Sequence, residues 1–297
     1  MKKKGLRIIG MLIFAVCICH GAATPDDRDP YRYKMQLLGA FSRLAVDMQT
    51  ISGLPLNEGS AVPYRQAVNR AIPTLFRIRN LRPPKALAAS HKDIARGAEF
   101  TSKLFQSTTE LLTDMAVSAQ GNAAAKAAVE AKAAALSRQY ASFEKEMLMF
   151  MAGTVDALAY DAQTPQSDPY RGKVMDLLTR IYKETQPIMR DFRRGRAPSE
   201  TELNRYTRQS TPLYQELADI PDPPVYMKGA QAKLKRGAAA YLEHRRLSFQ
   251  SIGILLQSNF NITPDVERRL TAIQKRMRAL SKEAGYFNEG IADVFSY

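Results

Sequence analysis

Cysteine is almost absent from this chain, and its position excludes it from the chemistry of the folded protein. Cys17 and Cys19 both lie in an apolar N-terminal segment that we expect to be removed. The remaining chain could form no disulfide, use no thiolate nucleophile and hold no metal through sulfur. The sequence from Cys17 to His20 is one residue short of the C-x-x-C-H haem attachment pattern, so we assign it no haem.

Histidine is also scarce, and the motifs of metal and phosphate chemistry are missing. After the N-terminal segment only His91 and His244 remain, and neither belongs to an H-E-x-x-H or a Glu-x-x-His pair. The sequence contains no G-x-S-x-G, no P-loop and no dinucleotide fingerprint. We therefore predict no metal site, no cofactor and no catalytic residue, and we favour a non-catalytic protein over an enzyme.

Residues 1–23 have the three parts of a secretory signal. Four basic residues precede an apolar run at 8–18, which is too short to span a bilayer as a helix. Small residues allow cleavage after Ala22 or Ala23, and an uncleaved anchor is the alternative. Neither cysteine follows a small residue, which argues against a lipoprotein. We expect a periplasmic or secreted protein with no transmembrane helix after cleavage.

Positive charge is in excess throughout the chain. The net charge is +14, and removal of the signal leaves 39 basic against 29 acidic residues, or +10. This excess suits an anionic neighbour such as a phospholipid surface or an acidic polymer. Export argues against nucleic acid. A solvated basic face that keeps the protein soluble is the simpler alternative.

The second half of the sequence repeats the first in an ordered series of matches. Chance could supply one such match but not a series that runs over the whole chain. We interpret residues 29–160 and 168–297 as two copies of one module, joined by a linker at 161–167. The clearest matches, at offsets of 137 to 140 positions, are Asp29-Pro30-Tyr31-Arg32 with Asp168-Pro169-Tyr170-Arg171, Pro73 with Pro212, Pro83-Pro84 with Pro223-Pro224, Arg96-Gly97-Ala98 with Arg236-Gly237-Ala238, and Phe150 and Gly153 with Phe287 and Gly290.

Each copy is predicted to form four helices, because apolar residues recur at helical spacing and no stretch alternates like a strand. Asp29 and Asp168 should cap the first helix of each copy, with proline at its first position. Ser199 and Glu202 form a possible capping box. Pro73 and Pro212 should kink or break the second helix. We predict an all-α fold of two tandem four-helix bundles.

Glycines and a heptad repeat predict how the third and fourth helices pack. Gly97 and Gly237 lie inside the third helix, where glycine costs about 1 kcal/mol relative to alanine. Close approach of a neighbouring helix would explain them. From Val266 to Val294 apolar residues alternate spacings of four and three, the seam of a coiled coil. The fourth helix should therefore pack nearly parallel or antiparallel to its neighbours.

Basic residues that match between the copies are candidates for an anion-binding groove. A structural role is the alternative, in which Arg32 pairs with Asp156 and Arg171 pairs with Asp293, because buried charges usually occur in pairs. The matched residues are Arg32 with Arg171, Lys34 with Lys173, and Arg96 with Arg236.

An arginine cluster occurs only in the second copy. With Phe192 it could touch a membrane surface or polyanion. A solvated helix end, where cations favour the helix dipole, is the alternative. Together with His244-Arg245-Arg246 and Arg268-Arg269, the cluster predicts that the second copy binds an anionic surface more strongly than the first. Its members are Arg190, Arg193, Arg194 and Arg196.

The sequence favours a bacterial envelope protein that acts as a non-catalytic interaction or ligand-binding module. The alternative from another class is an enzyme that uses Asp, Glu and Arg in a cleft between the modules, since clefts between domains are common sites. A binder of an anionic membrane surface or polymer is the third interpretation. No feature of the sequence identifies the partner.

Overall fold

Eight α-helices form most of the described chain. The computed structural model describes residues 29–54, 57–118, 123–163 and 168–295, and these contain no β-strand, which confirms the predicted all-α class. The expected signal at 1–23, residues 164–167 of the expected linker and the last two residues lie outside the described residues. The helices are α1 (Pro30–Gly53), α2 (Ala61–Arg79), α3 (Ala88–Ser118), α4 (Ala123–Ala159), α5 (Pro169–Arg193), α6 (Glu200–Ala218), α7 (Lys228–Gln257) and α8 (Pro264–Phe295).

The predicted helix starts are confirmed. The Asp29 carboxylate accepts a hydrogen bond of 2.9 Å from the Tyr31 amide, and Asp168 accepts one of 3.1 Å from the Arg171 amide. These bonds satisfy amides that have no partner within the helix. Ser199 and Glu202 form the reciprocal capping box at the start of α6.

Prolines occur both inside helices and shortly before them. Pro73 lies inside α2 and Pro212 inside α6, and both helices continue through them, so of the expected kink or break the break does not occur. The two Pro-Pro pairs precede short 3₁₀ turns, Lys85–Leu87 and Val225–Met227, which lead into α3 and α7. The third helix of each half thus starts after a 3₁₀ turn.

Consecutive helices pack against each other along the chain, and the last returns to the first. The α3–α4 and α7–α8 pairs have the most extensive contacts, α4 packs on α5, and α1 packs on α2 and α8. The first helix of each predicted module therefore contacts the last helix of the other. The buried apolar residues of both halves form one continuous core.

The heptad seam of α8 is buried as predicted. Val266, Leu270, Phe287 and Val294 are all shielded from solvent. Ion pairs between α7 and α8 show the direction of packing, because Lys233 meets Asp293 whereas Arg276, nearer the start of α8, meets Glu243. The pair is antiparallel. Among the described residues, no helix has the length and apolar character needed to cross a membrane.

The matched glycines sit where two helices touch. A methyl group on Gly97 would overlap the side chain of Phe150, and one on Gly237 would overlap the backbone of Phe287. On the opposite helices, a Cβ on Gly153 would lie 2.7 Å from the Ser90 carbonyl oxygen, and Gly290 is similarly confined. The predicted close approach of helices is confirmed, and it has the same form in both halves.

Candidate anion-binding sites

Arg96 and Arg236 hold helices together. Arg96 on α3 forms an ion pair with Glu146 on α4. Arg236 on α7 makes two bonds, of 2.8 and 2.9 Å, to Glu283 on α8, and its guanidinium lies 3.8 Å from the centre of the Tyr286 ring. Because both arginines already have a carboxylate partner, an incoming anion would have to compete with it.

The expected pairing of the helix-start arginines is wrong. Arg171 donates to the Asp168 carboxylate and to the Val294 carbonyl oxygen, at 2.9 and 2.7 Å. Asp293, its expected partner, pairs with Lys233. Asp156, the expected partner of Arg32, pairs with Arg193. The match between the two halves placed these arginines at helix ends. It could not predict the carboxylate that each arginine bonds to, because that partner depends on how neighbouring helices cross.

Arg32 itself is exposed, and no ion pair holds it within the described part of the chain. Its near neighbour Lys34 is buried. The structure therefore does not bring the matched residues of α1 together on one surface.

Lys34 and Lys173 have opposite environments. Lys34 is 1 % exposed, and its ammonium donates to the Tyr160 carbonyl at 2.8 Å and to the Thr179 hydroxyl at 2.5 Å. Burial lowers the pKa of Lys34 to about 8, while Asp161 and Asp176 oppose the shift. Lys34 thus links α1, the end of α4 and α5. Lys173 is exposed.

The arginine cluster divides into paired and unpaired members. Arg193 bonds to Asp156 at 2.6 Å and approaches Asp93 at 3.5 Å, which ties α5 to α4 and α3. Arg196 bonds to Asp191 and Glu202. Arg190 and Arg194 are exposed and have no ion pair with a described residue. Half of the predicted cluster therefore remains free to meet an external anion.

A more extended basic surface lies on α8. We name it the α8 basic face. It occupies the outward positions of the same heptad repeat whose inward positions form the buried seam. Three members are exposed with no ion pair to a described residue, and the fourth pairs with Asp265 of its own helix at 3.1 Å. The members are Arg268, Lys275, Arg278 and Lys282.

The α8 basic face has no counterpart of equal charge in the first half. The matching positions of α4 are Ala131, Arg138, Ala141 and Lys145. Sequence reasoning found only the Arg268-Arg269 pair and missed the face, because its residues are not adjacent in the chain. A count of basic residues at heptad spacing would have found it.

The structure buries one of the cations expected to meet an anionic surface, Arg245, in the core of the second half, so that part of the prediction is wrong. Arg245 on α7 is 6 % exposed. Its guanidinium donates to Tyr214 on α6 at 3.4 Å and to Thr185 on α5 at 3.1 Å. The ring centres of Tyr182 and Phe249 lie 5.0 and 5.7 Å from it. No described carboxylate forms an ion pair with it.

The two histidines remaining after the expected cleavage are structural in their contacts. His91 Nδ1 lies 2.9 Å from the Tyr33 hydroxyl. Burial lowers the pKa of His244 to about 4, so this ring is neutral at physiological pH. Among the described residues no three His, Cys, Asp or Glu side chains are placed to hold a metal ion.

Comparison with protein-family models, characterised proteins and solved structures finds no match to this chain. Its function is therefore inferred from the residues and contacts described above.

Proposed function

We propose that this is an exported bacterial envelope protein, without catalytic activity, that binds an extended polyanion through the α8 basic face. The N-terminal signal pattern at 1–23 supports export. The free cations of α8, together with Arg190 and Arg194, support an anionic partner. Clustered exposed charges act over about a Debye length, roughly 8–10 Å at physiological salt, so their local density matters more than the net charge.

We infer that the architecture arose by duplication of one four-helix unit, as the sequence matches indicate. Repeated contacts support this inference. The Arg96–Glu146 and Arg236–Glu283 ion pairs join corresponding helices, and Gly97 and Gly237 each admit a phenylalanine at the matching position. One copy has then gained basic charge on its fourth helix, which gives the protein a single preferred binding side.

A polymer fits the α8 basic face better than a lipid bilayer does. The face is a line of charges, about 21 Å from Arg268 to Lys282 at the helical rise of about 1.5 Å per residue. Helices that bind membranes present large apolar side chains beside their cations. The large apolar side chains exposed in the described chain lie on other elements, among them Phe76 and Tyr226.

Two carboxylates that match between the halves are engaged in ion pairs. Asp156 lies between α4 and α5 and bonds to Arg193, while Asp293 bonds to Lys233. These contacts favour binding over acid–base catalysis.

Retention on immobilised heparin tests the proposal. We expect the triple variant K275Q/R278Q/K282Q to elute at lower salt than the wild type. A matched control, K85Q/K92Q/K173Q, removes three exposed lysines that have no ion pair with a described residue, and it should elute near the wild type. Equal shifts in the two variants would mean that only total charge matters. Stronger retention on phosphatidylglycerol vesicles than on heparin would replace the polymer with a membrane.

A further inference from the structure

A buried charge without a countercharge distinguishes the core of the second half. Arginine stays protonated in proteins, so Arg245 brings a full positive charge into the core. The nearby carboxylate of Glu243 is directed elsewhere, to Arg246 and Arg276. Burial raises the pKa of Tyr214, so its hydroxyl stays neutral and supplies no negative charge. Isolated buried charges are strongly unfavourable unless a partner compensates them.

The first half shows that the fold does not need this charge. At the positions that match Arg245 and Tyr214 it has Phe105 and Leu75, both fully buried. At the positions that match Tyr206 and Ser210, the first half has Ala67 and Ala71 on α2, and both alanines are buried. This part of the core is therefore apolar in the first half. In the second half it contains several hydroxyl groups and one cation.

The cluster has more hydrogen-bond donors than acceptors. Arg245 carries five N–H groups, and within the described residues two of them reach oxygen atoms. The Ser210 hydroxyl is completely buried and bonds to no described residue. The Tyr206 hydroxyl is also buried and bonds to no described residue. An anion with two acceptor oxygens would complete these bonds, and a carboxylate matches the planar fork of a guanidinium.

A groove on the surface lies between the two helices, α5 and α6, whose residues bond to Arg245. It has a volume of about 320 Å³ and includes Glu184 and Leu213 in its lining. These two residues directly precede Thr185 and Tyr214, which bond to Arg245. Pro212 also lines it, and a proline removes one backbone hydrogen bond from the wall of the groove.

We propose that Arg245, Ser210 and the surrounding tyrosines form a binding site for a small organic acid. The carboxylate would bond to the guanidinium and the serine hydroxyl. The rings of Tyr182 and Phe249 would contact its apolar part. This site uses different residues from the α8 basic face, so each proposal can fail without the other.

The thermal unfolding midpoint of the full chain tests this site. Sodium benzoate and sodium acetate are compared with sodium chloride at equal ionic strength. We expect the carboxylates to raise the midpoint of the wild type above its value in chloride, because a ligand that binds only the folded state stabilises it. R245M should abolish the difference. R77M, which removes an exposed arginine that belongs to neither proposed site, should retain it.

S210A provides the second variant in case R245M does not fold. It keeps the charge and removes one donor, and we expect it to weaken benzoate binding about tenfold, the order expected for a hydrogen bond to a charged group. An equal midpoint in chloride and carboxylate for the wild type would overturn the proposal. So would a response that persists in R245M, or benzoate affinity unchanged in S210A.

Discussion

At the scale of single residues, burial decides what a basic side chain does. Lys34 and Lys173 occupy matching sequence positions, yet one is enclosed between helices and the other faces solvent. The enclosed ammonium keeps its charge only at a cost, since burial favours the neutral amine. It makes the contact between α1 and α5 sensitive to pH.

We predict that Lys34 makes the protein more stable as the pH rises from 7.5 to 9.5. Its pKa is about 8 in the folded protein, below the usual value of about 10.4. Between these values the unfolded chain binds more protons than the folded one, so the free energy of unfolding rises with pH. The gain over this range is about 2 kcal/mol relative to K34M.

Urea unfolding at several pH values measures this difference. K173M is the control, because Lys173 is exposed and its removal should leave the pH dependence of the wild type unchanged. Parallel pH profiles for the wild type and K34M would contradict the assignment of the shift to Lys34.

At the scale of helices, close contacts between backbones fix the α3–α4 and α7–α8 pairs. Glycine allows these contacts, and an ion pair between the same two helices lies beside each glycine. G237A should lower the free energy of unfolding by about 2 kcal/mol or more, because the added methyl group would overlap Phe287 and force α7 and α8 apart.

G229A in the same helix is the matched control. Gly229 is exposed, and nothing lies within 4 Å of an added Cβ. Alanine should not destabilise α7 there, and a gain of about a few tenths of a kcal/mol is expected because Gly229 lies in the first turn of the helix. Chemical denaturation should show a loss of stability for G237A and none for G229A. A gain of stability in both variants would show that helix propensity rather than contact controls position 237.

At the scale of the whole molecule, the two halves close on each other. The packing of α1 on α8 and of α4 on α5 buries apolar faces that a separate half would expose. We predict that residues 24–160 and 168–297, produced together as separate chains, purify as a one-to-one complex. Each chain alone should aggregate or bind a hydrophobic dye. Two soluble, monomeric halves that do not associate would contradict the shared core.

The sequence predicted local features better than crossings between helices. The caps at Asp29, Asp168 and Ser199 depend on residues one to three positions apart, and all are present. The seam of α8 and the close contacts at Gly97 and Gly237 also follow from periodicity or from the backbone needs of glycine. Each of these signals is contained within one helix.

The ion-pair partners could not be predicted in the same way. Asp156 bonds to Arg193 rather than to Arg32, because α4 packs along α5. The buried position of Arg245 was missed for a related reason. From the sequence, a single charged residue in an amphipathic helix is expected to face solvent. Only the packing of the neighbouring helices shows that Arg245 is buried and that no described carboxylate pairs with it.

The salt dependence of polyanion binding tests the central proposal most directly. The affinity for a fluorescent heparin fragment is measured by anisotropy at several salt concentrations. Removal of one cation that binds the polymer should reduce the slope of log affinity against log salt by about one. We predict that K275Q/R278Q/K282Q reduces the slope by about three, whereas K85Q/K92Q/K173Q leaves it near the wild-type value. Equal slopes for the wild type and the α8 variant would contradict binding through this face.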